Sequence, residues 1–416
     1  MQSILPPKLK EKQLILNVIR LQRTELLDQS LLSLLQEKLD WEFIIATTLS
    51  NQVINLLYFQ LNIPPFISYV PKETMSQLRQ WNLAIISKNI ILTEQLQNIL
   101  QQFKEHTIEP IILKGPVLAE SVYPKPELRM YTDLDILIRL TDLAKAKQIL
   151  LNNGYQLYEG VYPESFYLKY HYHLSFYKWV GNVVCLIEIH WHILPSAFPI
   201  QLDIEMLWSS ALQTKLHGIT VFHLSWEHFL LQLSTSFILD NHLALKTCCD
   251  ISQLIQKYQD TINLGSLLHI AHQNKCQKML YYALFCSQKY CGLELSQEIF
   301  TMHSWNKFQV RWLNQQAEDN YFPTNIPKKG RWHKSKEYLI YWLRYLLLTD
   351  KKVYRLQFIK QLLFPDEYFL HSFYRLRVDR IFFPLRIRYL LKGIKNIFII
   401  LFLYFNLRFL SKKPVS

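Results

Sequence analysis

The sequence predicts an α+β protein in which a small mixed sheet core is inserted in a mostly helical chain. Three observations carry this. Long Leu/Ile/Gln-rich windows repeat apolar residues at three- and four-residue steps, the period of an amphipathic helix. Residues 106–200 break that rhythm with short β-branched runs stopped by turn residues. Half of the 416 residues are hydrophobic, so a large core can form and global disorder is excluded. The expected organisation is a helical region over 1–105, the α/β core over 106–200, a helical domain over 201–321 and a basic, aromatic-rich helical region over 322–416.

Taken in order, residues 10–60 read as helix until "NIPPF" (62–66) interrupts. Residues 72–105 form a second long helical window. "IEPIILKGP" reads as a buried strand running into a Lys-Gly-Pro turn, "VLAESVY" as a short helix, and "YPKPELR" as a Pro-rich loop. "TDLDILIRL" reads as a strand. The helix "TDLAKAKQILLNNGY" follows, with Thr141 as its expected cap and Gly154 at its end. "HYHLSFYKW" and "VVCLIEIHWHI" read as strands around the turn "VGN". Beyond residue 201 the expectation is helix, without strands.

The formal charge of +13 is unevenly spread. Residues 328–416 hold 20 Lys/Arg against 5 Asp/Glu, so the basic character belongs to the C-terminal region and the rest is near neutral. Nine glycines, with no G-x-G-x-x-G and no G-x-x-x-x-G-K-[ST], argue against a dinucleotide fold and a P-loop. The six cysteines (185, 248, 249, 276, 286, 291) have no zinc-type spacing and read as free thiols of a cytoplasmic protein. The N-terminus "MQSILPPKLKEKQ" lacks the apolar stretch of a signal peptide.

The chemistry is concentrated in "LRMYTDLDIL". Residues two apart in a strand share a face, so Asp133 and Asp135 project side by side. Two adjacent carboxylates repel, and a hard divalent cation such as Mg²⁺ relieves that repulsion with oxygen ligands. Glu188, in "LIEIHWHI", is the candidate third ligand of a two-metal site. His190 and His192 follow at period two and are placed on its face. Histidines in such positions are more often structural than metal-ligating, and zinc is disfavoured because carboxylates outnumber soft ligands. His171 and His173 form a similar pair, on the sheet face or the substrate side.

These residues carry a resemblance. "IILKGPVLAESVYPKPELRMYTDLDILI" and the later "CLIEIHWHI" resemble the uncharacterised nucleotidyltransferase family of the DNA-polymerase-β-like superfamily. Lys114-Gly115, Tyr123-Pro124, Arg129, Asp133, Asp135, Glu188 and His190-Trp191 match its pattern in order. Asp40-Trp41 and Lys246, four residues before Asp250-Ile251, match its flanking helices. The likeness spans roughly residues 30–260, with echoes at 363–367 and 388–394.

The resemblance implies a Mg²⁺-dependent enzyme, with two ions expected with the NTP, that transfers NMP to an unknown small molecule, peptide or protein. Asp133, Asp135 and Glu188 would hold metal and act catalytically. Lys114, Gly115, Arg129, His190 and Lys246 would bind the nucleotide. Structural alternatives stand beside these roles: a solvent-facing Lys114, an Arg129 paired with Asp133 or Glu127, and a Lys246–Asp250 ion pair one helical turn apart. Alternative functions are a nucleotide-binding regulator without turnover and a membrane-associated helical scaffold. Residues 387–413 join a nine-residue apolar run to flanking basic residues. That is too short to span a bilayer but is suited to peripheral association with anionic lipid, or to packing in the core. Nucleic acid is the least expected partner.

Overall fold

The structure is a computed structural model. It describes residues 8–158, 164–194, 202–216, 218–239, 244–296, 307–322, 343–350 and 352–363, with residues 370 and 387 singly. The basic segment 387–413, apart from residue 387, lies outside the described residues. Among those described, no helix is long and apolar enough to cross a membrane.

The N-terminal window is four helices rather than one: α1 (Leu9–Val18), α2 (Glu25–Leu35), α3 (Trp41–Ser50) and α4 (Ile54–Leu61). Local chemistry cuts it. The Thr24 side chain caps α2 by accepting from the Leu27 N–H, and Asp40 caps α3 by accepting from Phe43. Gln52, at φ 58, turns the chain between α3 and α4. The second window is a single helix, α5 (Lys72–Glu105), as its period predicts.

The sheet has seven strands: β1 (Ile111–Leu113), β2 (Asp133–Leu137), β3 (Gln156–Leu157), β4 (His173–Val180), β5 (Val183–His190), β6 (Leu212–Leu216) and β7 (Ile219–His223). Their order is β3-β4-β5-β2-β1-β7-β6. The sheet is mixed, because β2 runs parallel to β5 and β1 parallel to β7 while the other neighbours are antiparallel.

The β6–β7 hairpin corrects the expectation of unbroken helix beyond 201. β6 is an edge strand whose residues are mostly exposed and polar, so it lacks an apolar signature. The readable signal was "ITVFH", a β-branched and aromatic run preceded by Gly218 at φ 85.

Strand register divides the central sheet into two faces. Leu134 and Ile136 on β2 stand opposite Ile187 and Ile189 on β5, which stand opposite Phe176 and Leu174 on β4. All six are buried. Each such side chain contributes about 1.5–3 kcal/mol on full burial, so a one-residue slip would be strongly opposed. The polar residues of the same strands are thereby committed to the opposite face.

Helices α6 (Gly115–Ser121), α7 (Leu143–Asn152) and α8 (Glu164–Tyr170) belong to this unit. The expected Thr141 cap is not formed. Thr141 lies within a 3-10 turn, Leu140–Asp142, and Asp142 precedes α7 without a side-chain cap bond. After α9 (Ile204–Ser209), helices α10 (Trp226–Leu239), α11 (Leu245–Lys257), α12 (Leu264–Gln273) and α13 (Gln277–Cys291) pack together, and α13 also contacts α1. Two further helices are α14 (Lys307–Tyr321) and α15 (Lys352–Leu363). All six cysteines are buried free thiols.

Candidate active site

The loop entering β2 is held from the N-terminal helices. The Asn55 amide on α4 donates to the Glu127 carbonyl at 2.9 Å, and the Asn89 amide on α5 donates to the Arg129 carbonyl at 3.1 Å. The Tyr131 hydroxyl lies 2.9 Å from the Thr93 Oγ1. These long-range bonds fix where Asp133 begins the strand.

From there the pleat brings the carboxylates together. Asp135 stands opposite Glu188 across the parallel β2–β5 pair, with Asp133 two residues earlier on the same face. Asp135 is buried, while Asp133 and Glu188 are partly accessible. His190 closes the group from beneath. Its Nε2 lies 3.0 Å from Asp135 Oδ1 and 3.4 Å from Glu188 Oε2. His173 on β4 pairs in register with His190, and its Nε2 lies 3.7 Å from Glu188 Oε1. Ser175 donates to the same oxygen at 3.4 Å.

Crowded negative charge dominates the electrostatics. Burial, then the charges of Asp135 and Glu188, push the Asp133 carboxyl up to about 6, against the opposing pull of Lys246 and Lys114. For Asp135, burial is the largest influence and opposes ionisation. Lys114 and the His190 hydrogen bond outweigh it and hold the carboxyl below its ordinary value. Burial opposes charge on His190, but its bonds to Asp135 and Glu188 lift it to about 9. Burial and then the His190 charge lower His173 to about 4.

Lys114 occupies the turn between β1 and α6 at φ 40, a left-handed conformation that a lysine rarely adopts. Its charge acts on both aspartates, so the turn brings it to the carboxylate group. Gly115 follows at the first position of α6.

Arg129 is elsewhere. It is buried, and its Nε and Nη2 donate to the two oxygens of Asp250 on α11, both at 2.8 Å. Its Nη1 donates to the Gly115 carbonyl at 3.1 Å, and the Tyr123 hydroxyl donates to Asp250 at 2.8 Å. The expected contact of Arg129 with phosphate does not fit this enclosure. Its partner is neither Asp133 nor Glu127. Arg129 instead ties the Lys114-Gly115 turn to α11.

The Lys246–Asp250 ion pair is likewise replaced. Both Asp250 oxygens are engaged by Arg129, and Lys246 Nζ bonds the Gln52 side chain. Burial and then the Arg129 charge lower Lys246 to about 8, while Asp250 and Asp133 pull it upward. Asn51 and Gln52, which no motif of the sequence marks, hold the start of α11. The Asn51 Oδ1 accepts from the Leu245 N–H at 3.2 Å.

His190 is buried against Asp135 and Glu188. His192 lies beyond the end of β5. Its Nδ1 accepts from the Leu194 N–H and its Nε2 donates to the Leu202 carbonyl, both at 3.0 Å, so it is turned away from the carboxylate group. His173, left undecided between sheet and substrate, joins the group through the hairpin register.

A family model described as "Uncharacterised nucleotidyltransferase" matches residues 37–292, more than half of the chain. No curated protein matches. Among solved structures, an antigenic nucleotidyltransferase-like protein from Paracoccidioides brasiliensis is similar at 14% identity and a TM-score of 0.30, covering 50% of this chain and 96% of that one.

Proposed function

The chain belongs to the uncharacterised nucleotidyltransferase family, and we propose that it is a Mg²⁺-dependent enzyme transferring NMP from an NTP to a hydroxyl-bearing acceptor. The observation that carries this reading is the register of β2 and β5, which sets Asp135 opposite Glu188 with Asp133 on the same face. Three carboxylates converging there suit a hard divalent cation, and the Asp133 carboxyl is raised first by burial and then by the charges of Asp135 and Glu188, which Lys246 and Lys114 only partly offset. Asp133, Asp135 and Glu188 would hold the ions. When bound, the ions supply charge compensation at the attacking and leaving oxygens.

The protein's own groups do the rest. Lys114 neutralises phosphate charge from the turn that Arg129 anchors through Gly115. Lys246, on the helix start fixed by Asn51 and Gln52, adds positive charge near Asp133. The acceptor hydroxyl attacks the α-phosphorus, and a new P–O bond forms as the bond to pyrophosphate breaks. Pyrophosphate leaves with that electron pair. The acceptor's proton passes to Glu188, whose longer arm and partial exposure let it reach an incoming hydroxyl.

The test is incubation with each α-phosphate-labelled NTP and Mg²⁺, reading pyrophosphate release and locating the label by mass spectrometry. Transfer by the wild type that is lost in Asp135→Asn supports the reading. Equal transfer by both proteins overturns it.

A further inference from the structure

The carboxylate group has a second side made of nitrogen. The donor atoms of His173, Glu188 and His190 all lie within 4.8 Å of one another. The Glu188 carboxylate faces both rings through Nε2, at 3.7 Å to His173 and 3.4 Å to His190. Ligands about 2.0–2.2 Å from one tetrahedral cation stand roughly 3.3–3.6 Å apart, so the His190 contact already has that spacing and the remaining pairs need to close by about an ångström or less. The arrangement is fixed by backbone pairing rather than by flexible loops. His173 stands opposite His190 and Ser175 opposite Glu188 along the β4–β5 ladder.

We propose that Glu188, His173 and His190 form a mixed nitrogen–oxygen cation centre that takes a transition ion of the Mn²⁺, Co²⁺ or Zn²⁺ class in preference to Mg²⁺. The inference rests on the metal-dependent reading above and sharpens it by dividing the site. Asp133 and Asp135 offer hard oxygen alone, whereas Glu188 shares its cation with two imidazoles. Imidazole nitrogen favours the later first-row ions, and carboxylate and water favour Mg²⁺. Three protein ligands leave a coordination position for water or a substrate oxygen.

The far sides of the rings agree with this assignment. The Nδ1 atoms of both His173 and His190 are buried and have no hydrogen-bond partner among the described residues. Neither ring is therefore committed to one tautomer from behind: His173 can carry its proton on Nδ1 and present the Nε2 lone pair, whereas His190 Nε2 donates to Asp135 at 3.0 Å and gives up that proton to a cation that binds in its place. The rings also pack against each other at a centroid distance of 4.9 Å, with Tyr172 beside both, which holds their planes without a bond at Nδ1.

The test is direct metal binding by the whole chain without nucleotide. Titration with Co²⁺, read by visible absorption, and with Mg²⁺, read by calorimetry, compares the wild type with His173→Gln, His171→Gln and Asp133→Asn. The expected result is Co²⁺ binding at least tenfold tighter than Mg²⁺. His173→Gln should weaken Co²⁺ tenfold or more while changing Mg²⁺ affinity less than twofold, and His171→Gln should change neither. Equal Co²⁺ affinity in the wild type and His173→Gln overturns the mixed centre and leaves the carboxylate site standing. Loss of no metal affinity in Asp133→Asn counts against the carboxylate reading separately. Should His173→Gln fail to fold, pulsed EPR of the Mn²⁺-loaded wild type decides. Imidazole nitrogen couplings support the centre, and ligation by oxygen alone overturns it.

Discussion

Arg129 and Asp250, 121 positions apart, close on each other in a bidentate pair with both bonds at 2.8 Å and both side chains buried. Tyr123 and the Gly115 carbonyl complete the hub, which links the turn carrying Lys114 to the helix carrying Lys246. Removing one partner leaves an uncompensated buried charge.

Arg129→Ala and Asp250→Ala are therefore each expected to destabilise the protein by about 3–5 kcal/mol. The double variant should lose clearly less than the sum of the two, because neither charge is then stranded. Denaturant unfolding of the four proteins measures this; additive losses would show that the two side chains act independently.

Asp133→Asn is expected to abolish metal-dependent transfer while stabilising the metal-free fold. The sign follows from linkage. The folded carboxyl sits at about 6, above its ordinary value of 3.8. The native state thus holds the proton more tightly than the unfolded chain, and stability falls as pH rises from about 4 to 6. Above that window the charged group is a burden that asparagine removes. Melting temperatures in chelator should favour the variant at pH 8 and converge toward pH 4.

His190→Gln is expected to show the same sign of pH dependence, starting from a deficit rather than ending in a gain. The ring is lifted to about 9 from an ordinary 6.5 by Asp135 and Glu188. Its contribution is full below about pH 6.5 and is lost as pH rises through about 9. The variant should melt well below the wild type at pH 6, with the deficit shrinking above pH 9. A deficit independent of pH would assign the ring to packing alone.

Lys114 offers a separation of stability from binding. At φ 40 its backbone is strained, and glycine tolerates that region without a Cβ penalty. Lys114→Gly relieves backbone strain of about 1 kcal/mol, which offsets the loss of the charge that balances buried Asp135, so stability is expected to change by less than about 1 kcal/mol. The substitution should also weaken NTP affinity about tenfold, the equivalent of about 1.4 kcal/mol. Equilibrium binding beside thermal unfolding tests both halves, and unchanged affinity would remove Lys114 from the phosphate site.

Much of the core was legible because it rests on local period. Alternation in "DLDIL" and "LIEIH" places Asp133, Asp135 and Glu188 on polar faces, since burying Leu134, Ile136, Ile187 and Ile189 leaves the carboxylates no other side. The Gly181-Asn182 turn between paired Val180 and Val183 also fixes which residues face across the hairpin. Counting outward from that turn brings His173 opposite His190, so this neighbour was readable, though the sequence reading left it open. Edge strand β6 escaped because half-solvated pairing needs no apolar code. What the sequence by itself determined is the sheet core and its row of carboxylates. Only the tertiary structure decided that Arg129 belongs to Asp250, Lys246 to Gln52 and His192 to Leu194 and Leu202. Those pairings join segments brought together by packing of the helices around the sheet. A charged side chain takes whichever partner burial leaves within reach, which no spacing along the chain encodes.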